Sequence, residues 1–299
     1  EEDYVAFAGV CKIASNKRPM VAYVVMNTAY LKLDQDSENE EIFTTLLHEV
    51  HHGLGFMNTY HDAFWDRATK VHRPIAEVVE QTNSYLRIKS PEVVSWVYNH
   101  FGCNQGVQLK GVPLENDGNE GSANSHFEQA ILGNEMMNPS SFYNAQYSGA
   151  TIAYIEAMGY FKVKEPKTKM EENLVWGKGQ GCGPLVDNPL PACANIPMTC
   201  KATGSVCSDD YFSIGNCSTD HNDAGFHNGF GGSCAVFFET KDCRFKHQLG
   251  SRCIDVNNNG SRVAICGETV CTKRGSQEIY DVVLKHPIAD VACTAEEKG

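Results

Sequence analysis

Residues 46–56 read LLHEVHHGLGF, and within them His48, Glu49 and His52 stand in the spacing His-Glu-x-x-His. Two imidazoles at i and i+4 of one helix lie one turn apart and about 40° apart around its axis. Such a pair can meet one zinc ion at about 2.0–2.1 Å from each nitrogen. A glutamate held beside them can take a proton from a zinc-activated water and pass it to a leaving amine. The chemistry offered is hydrolysis of an amide. His51 points about 100° away from His52 and reads as a packing or surface residue. A catalytic zinc usually takes three protein ligands. The extended pattern His-Glu-x-x-His-x-x-Gly-x-x-His would place the third six residues after His52, where Asn58 stands.

The elements around the motif must hold it on a helix. Ser37-Glu38-Asn39-Glu40 is a capping box with serine at the expected N-cap, and the helix is expected to run to about Leu54. Phe43, Leu47, Val50 and Leu54 form an apolar stripe expected to be buried, and Gly53 and Gly55 permit the end. Upstream, YVAFAGV and RPMVAYVVMN read as strands. Further helices are expected over 74–87, over 91–101 with Ser90 capping and Gly102 stopping, and over 149–158. The glycine-rich GKGQGCG and GFHNGFGG join no strand to a helix and read as loops, not phosphate cradles.

Composition changes near Lys162. Two cysteines, Cys11 and Cys103, precede it, and eleven of the 13 follow. None of the eleven shows paired zinc-knuckle spacing, so disulfides in an oxidising compartment are expected. Sequons at Asn216 and Asn259 agree with that location. The net charge of −12 disfavours nucleic acid and anionic membranes as partners, and no apolar run approaches a membrane span. The opening EEDYVAFAGVCKI enters directly into a strand pattern, as expected of a chain trimmed upstream; the odd cysteine, Cys11, is expected to have lost its partner there.

The third ligand has several candidates. His61 and His72 lie in a polar loop and read as exposed, and His100 ends a predicted helix, where a cation suits the dipole. Glu77 or Glu80 would serve in a zincin with a glutamate ligand, and Glu77 is 25 residues past His52. His126 is delivered by glycine-rich sequence and followed by Glu135-Met136-Met137-Asn138-Pro139. A methionine turn beneath three histidines is a second mark of metzincins.

With His48 through Phe56, Gly111-Val112-Pro113-Leu114-Glu115, His126-Phe127-Glu128, Glu135 through Pro139, the helix TIAYIEAMGYF and Trp176-Gly177 in order, the chain resembles the leishmanolysin family over about residues 5–185. The family's insertion of about sixty residues is 70 residues long here, between Gly55 and His126, and Phe127 stands where the family often has tryptophan.

The resemblance implies one zinc ion on His48, His52 and His126, Glu49 as general base, Met137 beneath the metal and a disulfide between Cys103 and Cys182. It implies an α+β fold: a metzincin-type zincin catalytic domain, with twisted sheet and active-site helix, followed by a disulfide-rich, loop/β-rich C-terminal domain. The expected divisions are 1–56, the N-terminal zincin subdomain; 57–165, the insertion, third histidine and methionine turn; and 166–299, the cysteine-rich domain. The function expected is a monomeric, extracellular or cell-surface zinc endopeptidase acting on polypeptides, with the strand Val21–Asn27 taking substrate as an added strand. Any lipid-anchor signal would lie outside residues 1–299. The alternatives are a catalytically idle adhesion protein on the same scaffold, or a zincin using Glu77.

Overall fold

The computed structural model describes residues 4–30, 36–82, 85–104, 109–115, 122–139, 145–164, 174–182, 205–208, 212–218, 236–243, 251–258, 261–273, 280–285 and 291–293. The chain divides into two compact units, Glu1–Thr199 with Thr219–Ala235, and Cys200–Ser218 with Val236–Gly299.

The first unit opens with the antiparallel pair β1 (Ala6–Ile13) and β2 (Pro19–Met26), where the alternating small and β-branched residues suit a pleated surface. Helix α1 (Asp36–Leu54) packs on this pair; a Cβ at Gly53 would stand 2.9 Å from that of Ala22. The helix starts at Asp36, one residue before the predicted cap Ser37, and the side chains of the expected capping box lie outside the described residues. Of the apolar stripe only Leu47 and Leu54 pack against the core. Phe43 is 62% and Val50 40% exposed, whereas Glu49, His51 and His52 are buried. The close approach at Gly53 sets the face of α1 that carries the motif toward the interior.

Two short strands, β3 (Trp65–Asp66) and β4 (Val71–His72), pair antiparallel. The helix expected over 74–87 is absent beyond one turn, α2 (Ile75–Val78). The chain instead reverses through β5 (Val79–Gln81) and β6 (Leu86–Ile88). Thr82 and Tyr85 close that reversal: the Thr82 amide donates to the Tyr85 carbonyl at 2.9 Å, and the Tyr85 amide to Thr82 Oγ1 at 3.0 Å. Arg87 and Glu80, opposite each other across the strands, pair at 2.7 Å. Two adjacent valines, 78 and 79, favour strand over helix here.

Helix α3 (Pro91–Phe101) has the expected bounds, with Pro91 at its start and Gly102 left-handed at φ 63°, the conformation that suits a helix C-terminus; Ser90 precedes it but its side chain makes no capping hydrogen bond. Strand β7 (Val112–Pro113) adds to β6, and α4 (Gln129–Leu132) precedes the Glu135–Pro139 turn. Helix α5 (Gly149–Ala157) is buried on nearly every side, which is why it is apolar without a stripe. Ser148 caps it by accepting from the Ala150 amide at 3.1 Å. Around α5 gather Phe56, Phe64, Phe101, Phe127, Leu114, Ile131 and Met137, all within one core.

The described part of the second unit is β-rich. Strands β8 (Ser205–Cys207), β9 (Ser213–Ser218) and β10 (Val236–Asp242) form one sheet, and β11 (Ser251–Asn258), β12 (Ser261–Lys273), β13 (Tyr280–Lys285) and β14 (Val291–Cys293) another, all antiparallel. Cys207–Cys253 and Cys243–Cys266 staple this unit, and Cys103–Cys182 the first. Cys243, Cys253 and Cys266 with Ile214 and Ala264 form its small core; disulfides substitute here for apolar volume. Asn216 is exposed on β9, and Asn259 lies outside the described residues. Among the described residues Cys11 is unpaired and exposed.

Candidate metal centre

His48, His52 and His126 meet although 74 positions separate the last two. Each ring points its Nδ1 at a backbone carbonyl: His48 at Met136 (2.6 Å), His52 at Phe56 (2.6 Å) and His126 at Ser122 (2.8 Å). A carbonyl can only accept, so every Nδ1 carries the proton and every Nε2 presents a lone pair. The Nε2 atoms lie 3.0 Å apart for His52 and His48, 3.1 Å for His52 and His126, and 3.2 Å for His48 and His126.

These close approaches are contacts between acceptors. Protonating a ring would relieve them, but burial opposes that. Burial, with the neighbouring His52 and His126, pushes His48 well below the usual imidazole range. Burial lowers His52 to about 4, although its bond to the Phe56 carbonyl works the other way. Burial and then His52 bring His126 to about 3. Three neutral rings with converged lone pairs need a cation. Tetrahedral bonds of about 2.0–2.1 Å set ligand nitrogens about 3.3 Å apart, which the observed triangle matches within a few tenths of an ångström. The residues present therefore fit a zinc ion.

Glu49 stands one residue after His48 on α1 and is 6% exposed. Its Oε2 has no hydrogen-bond partner among the described residues. Burial pushes its carboxyl up to about 7, so the group can hold or release a proton near neutrality. An unpartnered buried carboxylate oxygen is costly and is tolerated where it has a partner to receive.

Backbone contacts place these side chains. Gly55, at φ 108°, turns the chain after α1 so that the Phe56 carbonyl faces His52. The Asn58 amide donates to Ser125 Oγ at 3.1 Å, so the position where the compact motif would carry a histidine instead anchors the loop carrying His126. Phe127 donates its amide to the Met137 carbonyl at 3.0 Å, joining that loop to the turn. Met137 is fully buried. His51 is a packing residue: its Nδ1 donates to the Leu47 carbonyl, and its Nε2 meets the Tyr147 hydroxyl at 3.0 Å.

The other candidates lie outside this group. Glu77 is exposed on α2 and Glu80 pairs with Arg87. His61 is buried, contrary to its polar surroundings in sequence, and burial lowers it to about 4. His72 pairs with Trp65 across β3 and β4. His100 is not a cation at the end of α3. It is buried and lowered, stacked on Trp96, and its Nε2 donates to the Trp176 carbonyl at 2.7 Å. Sequence reasoning missed Phe56, Ser122 and Met136, because a backbone carbonyl leaves no mark in residue type.

The sequence model described as Leishmanolysin matches residues 1–232 of the 299. A ciliated left-right organizer metallopeptidase from Xenopus laevis is 27% identical over 241 residues, covering 75% of this chain and 31% of that protein. A leishmanolysin-like peptidase from Drosophila melanogaster is 26% identical over 60% of this chain and 30% of its own length. Leishmanolysin of Leishmania tropica is 25% identical over 73% of this chain and 31% of its own length. The chain thus spans about a third of the length of these curated relatives. Given that match and three histidines able to hold a metal ion, the chain belongs to the leishmanolysin family of metallopeptidases.

Proposed function

We propose that this chain carries the catalytic centre of a metzincin-type zinc endopeptidase, with zinc on His48, His52 and His126 and with Met137 beneath it. The observation that carries this reading is the convergence of three Nε2 lone pairs at 3.0–3.2 Å, each fixed by an Nδ1 bond to a carbonyl. Zinc, when bound, supplies Lewis acidity toward water and toward the scissile carbonyl. Glu49 is the general base: its buried carboxyl takes the proton of the attacking water and returns it to the departing amine. The neutral, tautomer-fixed rings remain ligands and take no part in proton transfer.

Polypeptides are the proposed substrates. Strand β2 pairs only with β1 among the described residues, and its open edge suits an extended peptide added as a strand. The three disulfides among the described residues support an oxidising, extracellular setting. No described helix is long and apolar enough to cross a membrane. The test combines metal content with cleavage of an unfolded protein by wild type and Glu49→Ala. Stoichiometric zinc and a loss of about 10²–10⁴-fold in cleavage are expected. Bound zinc without Glu49-dependent cleavage would make the chain a binding protein instead.

A further inference from the structure

Glu135 is only 1% exposed, a place where a carboxylate survives only if its oxygens are satisfied. They are. Oε2 accepts the Met137 amide at 2.5 Å, and Oε1 accepts the hydroxyls of Ser148 at 2.8 Å and Thr151 at 2.6 Å. Ser148 is the cap of α5 and Thr151 lies in its first turn. The carboxyl therefore sits at the positive end of a buried helix, where burial nonetheless raises it above the usual carboxylate range. The turn is held on its other side as well, with the Met136 amide donating to the Gln146 carbonyl at 2.8 Å. What this bracing places is the Met136 carbonyl, the acceptor for His48 Nδ1 at 2.6 Å. Of the three histidines His48 is the least buried, so it has the least packing to fix its ring.

We propose that Glu135 is a positioning residue for the metal centre: by tying the Met136–Met137 turn to the start of α5, it holds the carbonyl that sets the tautomer and plane of His48. The inference rests on the metal reading above. Partners that orient a ligating histidine typically change metal affinity by about 10–100-fold when removed. Glu135→Gln keeps the volume but presents an amide group to donors that need an acceptor. Thr151→Val keeps the shape and removes one donor.

The test titrates Co(II) into the metal-free full chain of wild type and both variants against a competing chelator, and records the visible spectrum of each complex. Thermal melting of the metal-free proteins is followed in parallel. Glu135→Gln is expected to bind about 10–100-fold more weakly with an altered cobalt spectrum, and Thr151→Val several-fold more weakly with a smaller change. If Glu135→Gln does not fold, Thr151→Val alone decides. Variants that melt lower yet bind cobalt with wild-type affinity and spectrum would show a brace for the fold only, overturning the inference. Wild type that takes up no cobalt would sink the metal reading itself.

Discussion

Phe56 lies flat against Tyr154, with ring centroids 3.9 Å apart and planes 24° from parallel, and the same Phe56 gives its carbonyl to His52. The most enclosed stack of the core thus fixes the backbone that orients a ligand. Tyr154 Oη is buried without a partner among the described residues. Tyr154→Phe should therefore stabilise the protein, by about 1–2 kcal/mol, since it removes an unsatisfied hydroxyl. Tyr154→Ala should cost about 3–5 kcal/mol through the cavity left. Urea unfolding of the zinc-loaded proteins measures both, and a destabilised Tyr154→Phe would mean that the hydroxyl has a partner.

Metal should act as a cross-link between α1 and the His126 loop. At a free zinc concentration 100 times the dissociation constant, binding adds about 2.7 kcal/mol to stability. Chelation should lower the melting temperature of wild type and of Glu77→Ala alike. His126→Ala should melt at one temperature with or without zinc. A metal-dependent shift lost in Glu77→Ala and kept in His126→Ala would reassign the third ligand.

His61 gives the metal-free protein a pH dependence that can be isolated. Its folded pKa, lowered to about 4 by burial, lies below the unfolded value of about 6.5. Between these values the unfolded chain binds a proton that the folded chain refuses. Stability from this group is thus complete above about pH 6.5 and falls as pH drops toward 4, at about 1.4 kcal/mol per pH unit. His61→Gln should reduce the slope by that amount in denaturant titrations of chelated protein from pH 4.5 to 7, the remainder coming from the other buried histidines. An unchanged slope would place the proton uptake elsewhere.

Two glycines separate strain from collision. A Cβ at Gly159, where φ is 81°, would stand 1.8 Å from the Trp65 carbonyl oxygen, while at Gly179, with φ 73°, nothing lies within 4 Å. Gly179→Ala should cost about 1–2 kcal/mol from backbone conformation alone. Gly159→Ala adds a clash with fixed backbone and should cost at least about 3 kcal/mol more, or prevent folding. Equal losses in thermal melts would contradict the close approach of residue 159 to Trp65.

Local chemistry was legible in the sequence wherever residue type alone decides structure. The His48–His52 helix, the proline and glycine bounding α3, and the Gly149–Ala157 helix were all expected from pattern. The 74–87 segment was not, because the Thr82–Tyr85 turn that makes it a hairpin is a backbone closure within a run that also fits a helical period. Phe43 and Val50 were expected inside on hydrophobicity; the contact of Gly53 with Ala22, which turns α1, comes from tertiary packing. His61 and His100 were misjudged for the same reason, since burial is decided by distant partners. His126 and the Cys103–Cys182 bridge were indicated only through resemblance to the family, as spacing left several choices open.

The long interval between His52 and His126 has an evolutionary corollary. Both ends are pinned locally, His52 by the Phe56 carbonyl and His126 by the Asn58–Ser125 and Phe127–Met137 contacts, so the surface loops between the core elements of this span can lengthen. Doubling such a span costs only about 0.6 kcal/mol in closure entropy. New surface and longer loops can accumulate between the two histidines while the three converged imidazoles stay as they were.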